Sequence, residues 1–182
     1  GRVLLIPASS VKGALSHRVA FHYNRLTQRY VGTLPEGEDI ENNVGKNNAA
    51  VKALFGSEGD KDSDGKLQNK QRGNVLMSDI IEEASLSPKV LNHVSIDRFT
   101  GGAIDGALFN EEVLYAKGHT FVLKLMVNQA AFNSDENVKK AFHCALKDLC
   151  SGMLPLGGGV NRGNGCFEGT IKRKGELVYE NN

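Results

Sequence analysis

Hydrophobic spacing changes period several times along this chain. Val3-Leu4-Leu5-Ile6 is a short apolar run closed by Pro7, which predicts a strand. The spacing then turns helical. Val11, Leu15, Val19, Leu26 and Tyr30 fall on one side of a helix predicted to run to about Tyr30, with Ser9 or Ser10 as its N-cap. Arg18, His22, Arg25 and Arg29 follow at steps of four, three and four, which predicts a basic stripe on the same helix. Asn47 to Phe55 reads as a short second helix. Gly56 to Gly73 is polar and glycine-rich and reads as a loop or mobile insertion, and Asn74 to Ile81 as a strand.

In the second half, Val94 and Ile96 alternate with polar positions, and Thr100-Gly101-Gly102 and Asp105-Gly106 are turn signals. Asn92 to Asn128 is therefore read as β structure with a long excursion, whose returning strands are Leu108 to Tyr115 and Thr120 to Val127. Ser134-Asp135-Glu136 opens a helix with acids where the helix dipole favours them. Val138, Ala141, Phe142, Ala145, Leu146 and Leu149 form its apolar face, the clearest amphipathic pattern in the chain, and Gly152 is the expected C-cap. A glycine-rich stretch and a final strand from Phe167 to about Val178 complete the order. Strand, helix, strands, helix, strand predicts an α+β fold with helices on one face of an antiparallel sheet, RRM-like or ferredoxin-like. The first strand is short for that pattern. The expectation is one domain over 1–182 that lacks its N-terminal strand or receives it from elsewhere.

Composition adds bounds. The 182 residues suit one domain, the ordinary apolar content and 24% charged residues exclude a disordered tail, a collagen-like repeat and a minimal disulfide scaffold, and a net charge of +1 does not by itself announce a nucleic-acid binder. No apolar run approaches the ~18 residues of a membrane-spanning helix. Cys144, Cys150 and Cys166 form no C-x-x-C pair, and Cys144 and Cys150 do not share a helix face, so all are read as reduced thiols of an intracellular, cytoplasmic protein. The charge is uneven. Residues 1–35 carry a net +5, residues 36–64 a net −5 and residues 152–175 a net +3, a pattern suited to a polyanion that touches part of the surface, or to an ordinary solvated exterior.

Three segments carry candidate chemistry. Gly157-Gly158-Gly159-Val160-Asn161-Arg162-Gly163-Asn164-Gly165 has five glycines in nine residues, one cation and two amides. These are the parts of a phosphate-contacting loop, because the backbone can come close to a ligand. No Gly-Lys-Ser/Thr follows, so it is not a Walker A loop, and it leads into a strand rather than a helix. Ser9, Ser10 and Lys12, at a helix start, are suited to an anion or to capping alone. Asp60-Lys61-Asp62-Ser63-Asp64-Gly65-Lys66-Leu67 matches the start of an EF-hand loop, but Gln71 stands where a bidentate Glu is required. The five histidines form no ligand pair. His17 alone is an acid–base candidate.

Ile6 to Leu15 (IPASSVKGAL), Ile96 to Phe121 (IDRFTGGAIDGALFNEEVLYAKGHTF) and Leu154 to Gly169 (LPLGGGVNRGNGCFEG) together resemble the RAMP superfamily of CRISPR-associated proteins, most nearly the backbone subunits of type III effector complexes. The resemblance implies an RRM-like core with a β-hairpin thumb over 92–118 and a C-terminal glycine-rich loop, and residues 32–73 are read as an insertion or mobile loop. It implies CRISPR RNA, target RNA and other RAMP subunits or domains as partners, with no membrane. RNA-binding positions would be Ser9, Ser10, Lys12, Arg18, Gly157, Gly158, Gly159, Asn161, Arg162, Gly163, Asn164 and Gly165. Thumb positions would be Asp97, Arg98, Phe99, Thr100 and Phe109. No intrinsic cofactor is implied, but Mg or Mn would serve target RNA cleavage. The family's cleaving Asp precedes the Ile-Pro-x-Ser-Ser motif, and no acid precedes Glu36 here, so no catalytic residue is assigned. Two other readings stand beside this one: a stand-alone RAMP endoribonuclease using His17 on precursor CRISPR RNA, and a calcium-responsive interaction domain built on Asp60–Gly65.

Overall fold

The computed structural model describes residues 3–34, 36–37, 40–61, 66–82, 88–116, 118–133 and 135–180. The chain divides into two units. One takes Gly1–Leu5 and Ile80–Val122, the other Ile6–Asp79 and Leu123–Asn182.

In chain order the elements begin with β1 (Leu4–Ile6), α1 (Ala8–Leu26) and α2 (Ala49–Phe55). Next come β2 (Gly56–Ser57), β3 (Asp60–Lys61), β4 (Leu67–Gln68), β5 (Gln71–Arg72), β6 (Val75–Met77) and β7 (Ile80–Glu82). Then follow β8 (Pro88–His93), β9 (Phe109–Leu114), β10 (Leu125–Val127), α3 (Glu136–Cys150), β11 (Thr170–Arg173) and β12 (Glu176–Glu180). Short 3₁₀ turns join several of them. Helices and antiparallel pairs give the expected α+β class. Among the described residues the strands form six two-stranded sheets rather than one continuous sheet.

The larger unit is built on three helices. Val11, Leu15 and Val19 of α1 recur at i, i+4 and i+8 and are fully buried. They meet Ala141 and Ala145 of α3 and Ala50 and Leu54 of α2 in one core, with Val138, Phe142 and Leu146 completing the α3 face expected from its spacing. Small alanines on α3 let the helices approach closely. Met77, Leu125 and Val127 of the β6–β10 pair pack against this core, leaving Leu76 and Met126 on the opposite face.

Several boundaries differ from the sequence expectation. Pro7, not Ser9 or Ser10, is the N-cap of α1, and both serines lie in its first turn. The Ala8 N–H instead donates to Asp79 Oδ1 at 2.6 Å, so a carboxylate 71 residues away does the capping. The helix stops at Leu26 rather than Tyr30, because Gln28 takes a left-handed φ of 56°. Within Gly56–Gly73 the described residues include short ladders, β2 pairing with β5 and β3 with β4. The strand expected over Asn74–Ile81 splits at Ser78 and Asp79, β6 pairing with β10 and β7 with β1. Only Leu125–Val127 of the expected Thr120–Val127 strand is extended into a pair. The final strand is a hairpin. Lys174 and Gly175 have φ of 51° and 90°, the two positive values of a tight turn whose twist suits the flanking strands.

The smaller unit contains β7 and a long antiparallel hairpin. β8 and β9 pair from Pro88↔Leu114 to His93↔Phe109, so the ladder starts before the Asn92 expected. The Ile96↔Ala103 bridge continues it to a compact tip.

Candidate nucleic-acid interface

The Gly157–Gly165 segment is an ordered loop. The Leu156 N–H donates to Gly165 O at 2.9 Å and closes its neck, while the Arg162 and Asn164 N–H groups both donate to Gly159 O, at 2.8 and 3.2 Å. Val160–Arg162 forms one 3₁₀ turn between left-handed glycines at 159 and 163. Glycine is required at 165: a Cβ there would stand 1.9 Å from the Leu156 carbonyl oxygen, and its φ is 74°. Gly158 is the opposite case, with an ordinary φ and open space where a Cβ would go. Gly157, Gly158, Asn161, Arg162 and Gly163 are exposed along the rim.

The other candidate RNA contacts are partly engaged within the protein. Lys12 Nζ donates to Phe55 O at 3.3 Å, at the end of α2, and lies over the Phe55 ring. Arg18 ion-pairs with Asp148 at 3.4 Å and donates to the Met153 carbonyl just before the glycine-rich loop. His22 Nε2 sits 2.7 Å from the same carboxylate and is buried. Two members of the expected basic stripe, Arg18 and His22, thus turn inward and hold α1 on α3. Arg29 bonds Asn43 Oδ1 at 3.0 Å. The signal that sequence reading missed is Asp148 itself, one carboxylate at i+3 from Ala145 on an otherwise apolar stripe. Ser9 and Ser10 are exposed at the start of α1, and His17 is exposed further along it.

At the hairpin tip, Asp97 organises the turn. Its carboxylate accepts from the Phe99 N–H at 3.0 Å and from Thr100 Oγ1 at 2.9 Å. Those two bonds, the Phe99 one first, hold the Asp97 carboxyl below its ordinary value. The turn carries Phe99 almost wholly into water, at 98% exposure, beside exposed Arg98. Phe109 is different: it stacks on His93 at 4.9 Å, and His93 Nε2 lies 3.3 Å from Glu111 Oε2.

Among the described residues no three His, Cys, Asp or Glu side chains gather as a metal site. Asp97 is occupied with its own turn. These residues alone do not supply the donor set for the divalent ion that the resemblance implies. Residues 62–65, the centre of the calcium-loop match, lie outside the described residues. No described helix is long and apolar enough to cross a membrane.

A family model described as the RAMP superfamily matches residues 1–168, so it spans the α1 start, the hairpin and the whole glycine-rich loop. The chain belongs to the RAMP superfamily. No curated protein shows a significant match. As a RAMP protein it is CRISPR-associated, and the family points to RNA binding as its general role. In this RAMP chain the matched region leaves out residues 169–182, which hold the C-terminal hairpin.

Proposed function

We propose that this chain is a guide-RNA-holding backbone subunit, or one such domain, of a type III-like RNA-guided effector complex. The glycine-rich loop and the start of α1 hold the sugar–phosphate backbone of CRISPR RNA. The β8–β9 hairpin serves as the thumb, with Phe99 as the wedge against a base step. Contacts of the first kind fix the position of the strand without reading its sequence, and base pairing between guide and target does the reading. Other RAMP subunits or domains lie to either side, and the chain works in the cytoplasm.

The glycine-rich loop carries this reading. Its neck is fixed by Leu156 and Gly165, its rim is exposed and carries Arg162, and at Gly158 the backbone is bare although the fold has room for a side chain. A bare position that the fold does not require suits the close approach of a ligand. The tip supports the thumb role in the same way: a large aromatic held in water by a hydrogen-bonded turn suits stacking on bases, worth about 1–3 kcal/mol per base.

The test is single-stranded RNA binding by Gly158→Val and Arg162→Ala against the unaltered chain. The expected result is weaker binding to every RNA sequence by both variants, with the Gly158→Val melting temperature unchanged. For Arg162→Ala the slope of log K against log salt flattens by about 0.7 per lost contact. Unaltered affinity in both variants would overturn the placement of RNA on this loop. Phe99→Ala is expected to leave single-strand affinity nearly intact and to weaken engagement of a guide–target duplex.

A further inference from the structure

The side of α3 that faces water carries a cluster that the reading above does not use. Lys139, His143 and Lys147 fall at i, i+4 and i+8, so they stack along one stripe. Lys140 adjoins it, three positions before His143, and is exposed. Arg173, at the end of β11, comes close enough to act electrostatically on His143. Lys147 Nζ lies 5.4 Å from the centroid of the Tyr179 ring on β12. The acid in the group is Glu136, which bonds Lys139 Nζ at 3.4 Å. Partial burial pushes the His143 imidazole below its ordinary value, and Lys139, Arg173 and Lys147 push it further, while Glu136 opposes them.

Cations gathered this way repel one another until an anion joins them. The stripe is polar along its length, with the Tyr179 ring beside Lys147 as its aromatic neighbour. From Lys139 to Lys147 it runs about 12 Å along the helix axis. That length is enough to lie against more than one phosphate of a single strand.

We propose that the Lys139–Lys147 stripe of α3, together with Arg173, is a second phosphate-contacting surface that takes the backbone of an RNA strand beyond the part held by the glycine-rich loop. This rests on the RNA-binding reading above but uses a different set of residues. Because a phosphate beside His143 favours the imidazolium, RNA raises the His143 pKa, and affinity increases as pH falls toward that range.

Two measurements test it on the full chain with a labelled single-stranded RNA. The first compares the Lys140→Ala/Arg173→Ala double variant with the unaltered chain across salt. Two lost contacts flatten the slope by about 1.4, so roughly sevenfold less affinity is lost between about 50 and 200 mM salt. The second follows the His143 ring by NMR titration, where RNA is expected to move its pKa upward. The proposal is overturned if the double variant keeps the full slope and His143 titrates identically with and without RNA. If Gly158→Val still weakens binding in that case, the glycine-rich-loop reading stands alone. Failure of the unaltered chain to bind RNA at low salt overturns both. A glutamate-rich peptide that raises the His143 pKa where RNA does not would make this face a protein-docking surface and overturn the nucleic-acid assignment.

Discussion

Asp97 shows how much one carboxylate can organise. Its bonds to the Phe99 N–H and the Thr100 hydroxyl depress its pKa, so their contribution is fully present above the ordinary carboxylate range and is lost as pH falls through the lowered value. The expected outcome is a Phe99 amide resonance that stays constant from neutral pH into the ordinary Asp range and shifts only below it. In Asp97→Ala that late transition disappears. The cysteines give a second prediction at this scale. Cys166 is exposed, whereas Cys150 is partly buried and its thiol is pushed up by desolvation. A thiol reagent is expected to modify Cys166 first and Cys150 much later, checked by mass-mapped labelling. The tip turn was legible in the sequence because Thr100, Gly101 and Gly102 are consecutive turn signals, although Asp97, whose carboxylate closes the turn, was read only as a thumb position. The fate of Arg18 and His22 was not. Their partner Asp148 lies 126 residues beyond His22, and local spacing reports only that a stripe is basic, not which way it faces.

Among the elements, α3 is set by its own sequence and tied down by its cap. Asp135 Oδ1 accepts from the Asn137 N–H at 2.8 Å, while Oδ2 accepts from Tyr23 Oη at 2.9 Å. Burial and that neighbouring carboxylate together raise the Tyr23 phenol above its ordinary value. One side chain thus starts α3 and fastens it to α1. Asp135→Ala is expected to cost about 1–3 kcal/mol, combining a lost cap with a lost hydrogen bond, and Asp135→Asn to recover most of it. Urea unfolding measures both. The apolar face of α3 was readable because six positions obey one period. The C-terminal hairpin was not, since Lys174 and Gly175 interrupt a strand-like run by two positions only, and Lys at positive φ has no strong sequence signature. The end of α1 was hidden for a related reason: Leu26 and Tyr30 keep helical spacing across the left-handed Gln28.

For the whole molecule, the larger unit depends on α1 filling the space between α2 and α3. Leu15 is fully buried at its centre, and Leu15→Ala is expected to destabilise by about 2–5 kcal/mol, read as a lowered urea midpoint. The α+β class followed from the order of periods, which is a local property. Strand partners are not local. β6 meets β10 across some fifty positions and β7 returns to β1, pairings that single short apolar runs do not specify. Charge asymmetry at this scale was visible as segment totals, but the α3 cluster escaped them because its cations come from two separate stretches. The contrast between Gly165 and Gly158 reaches past any single molecule. If codons 157–165 were randomised and survivors chosen for folding alone, position 165 would return one letter of the alphabet and position 158 many. If they were chosen for capture of RNA, the second position would narrow as well. The difference between the two surviving populations would separate what inheritance owes to the chain's own shape from what it owes to the strand the chain was kept to hold.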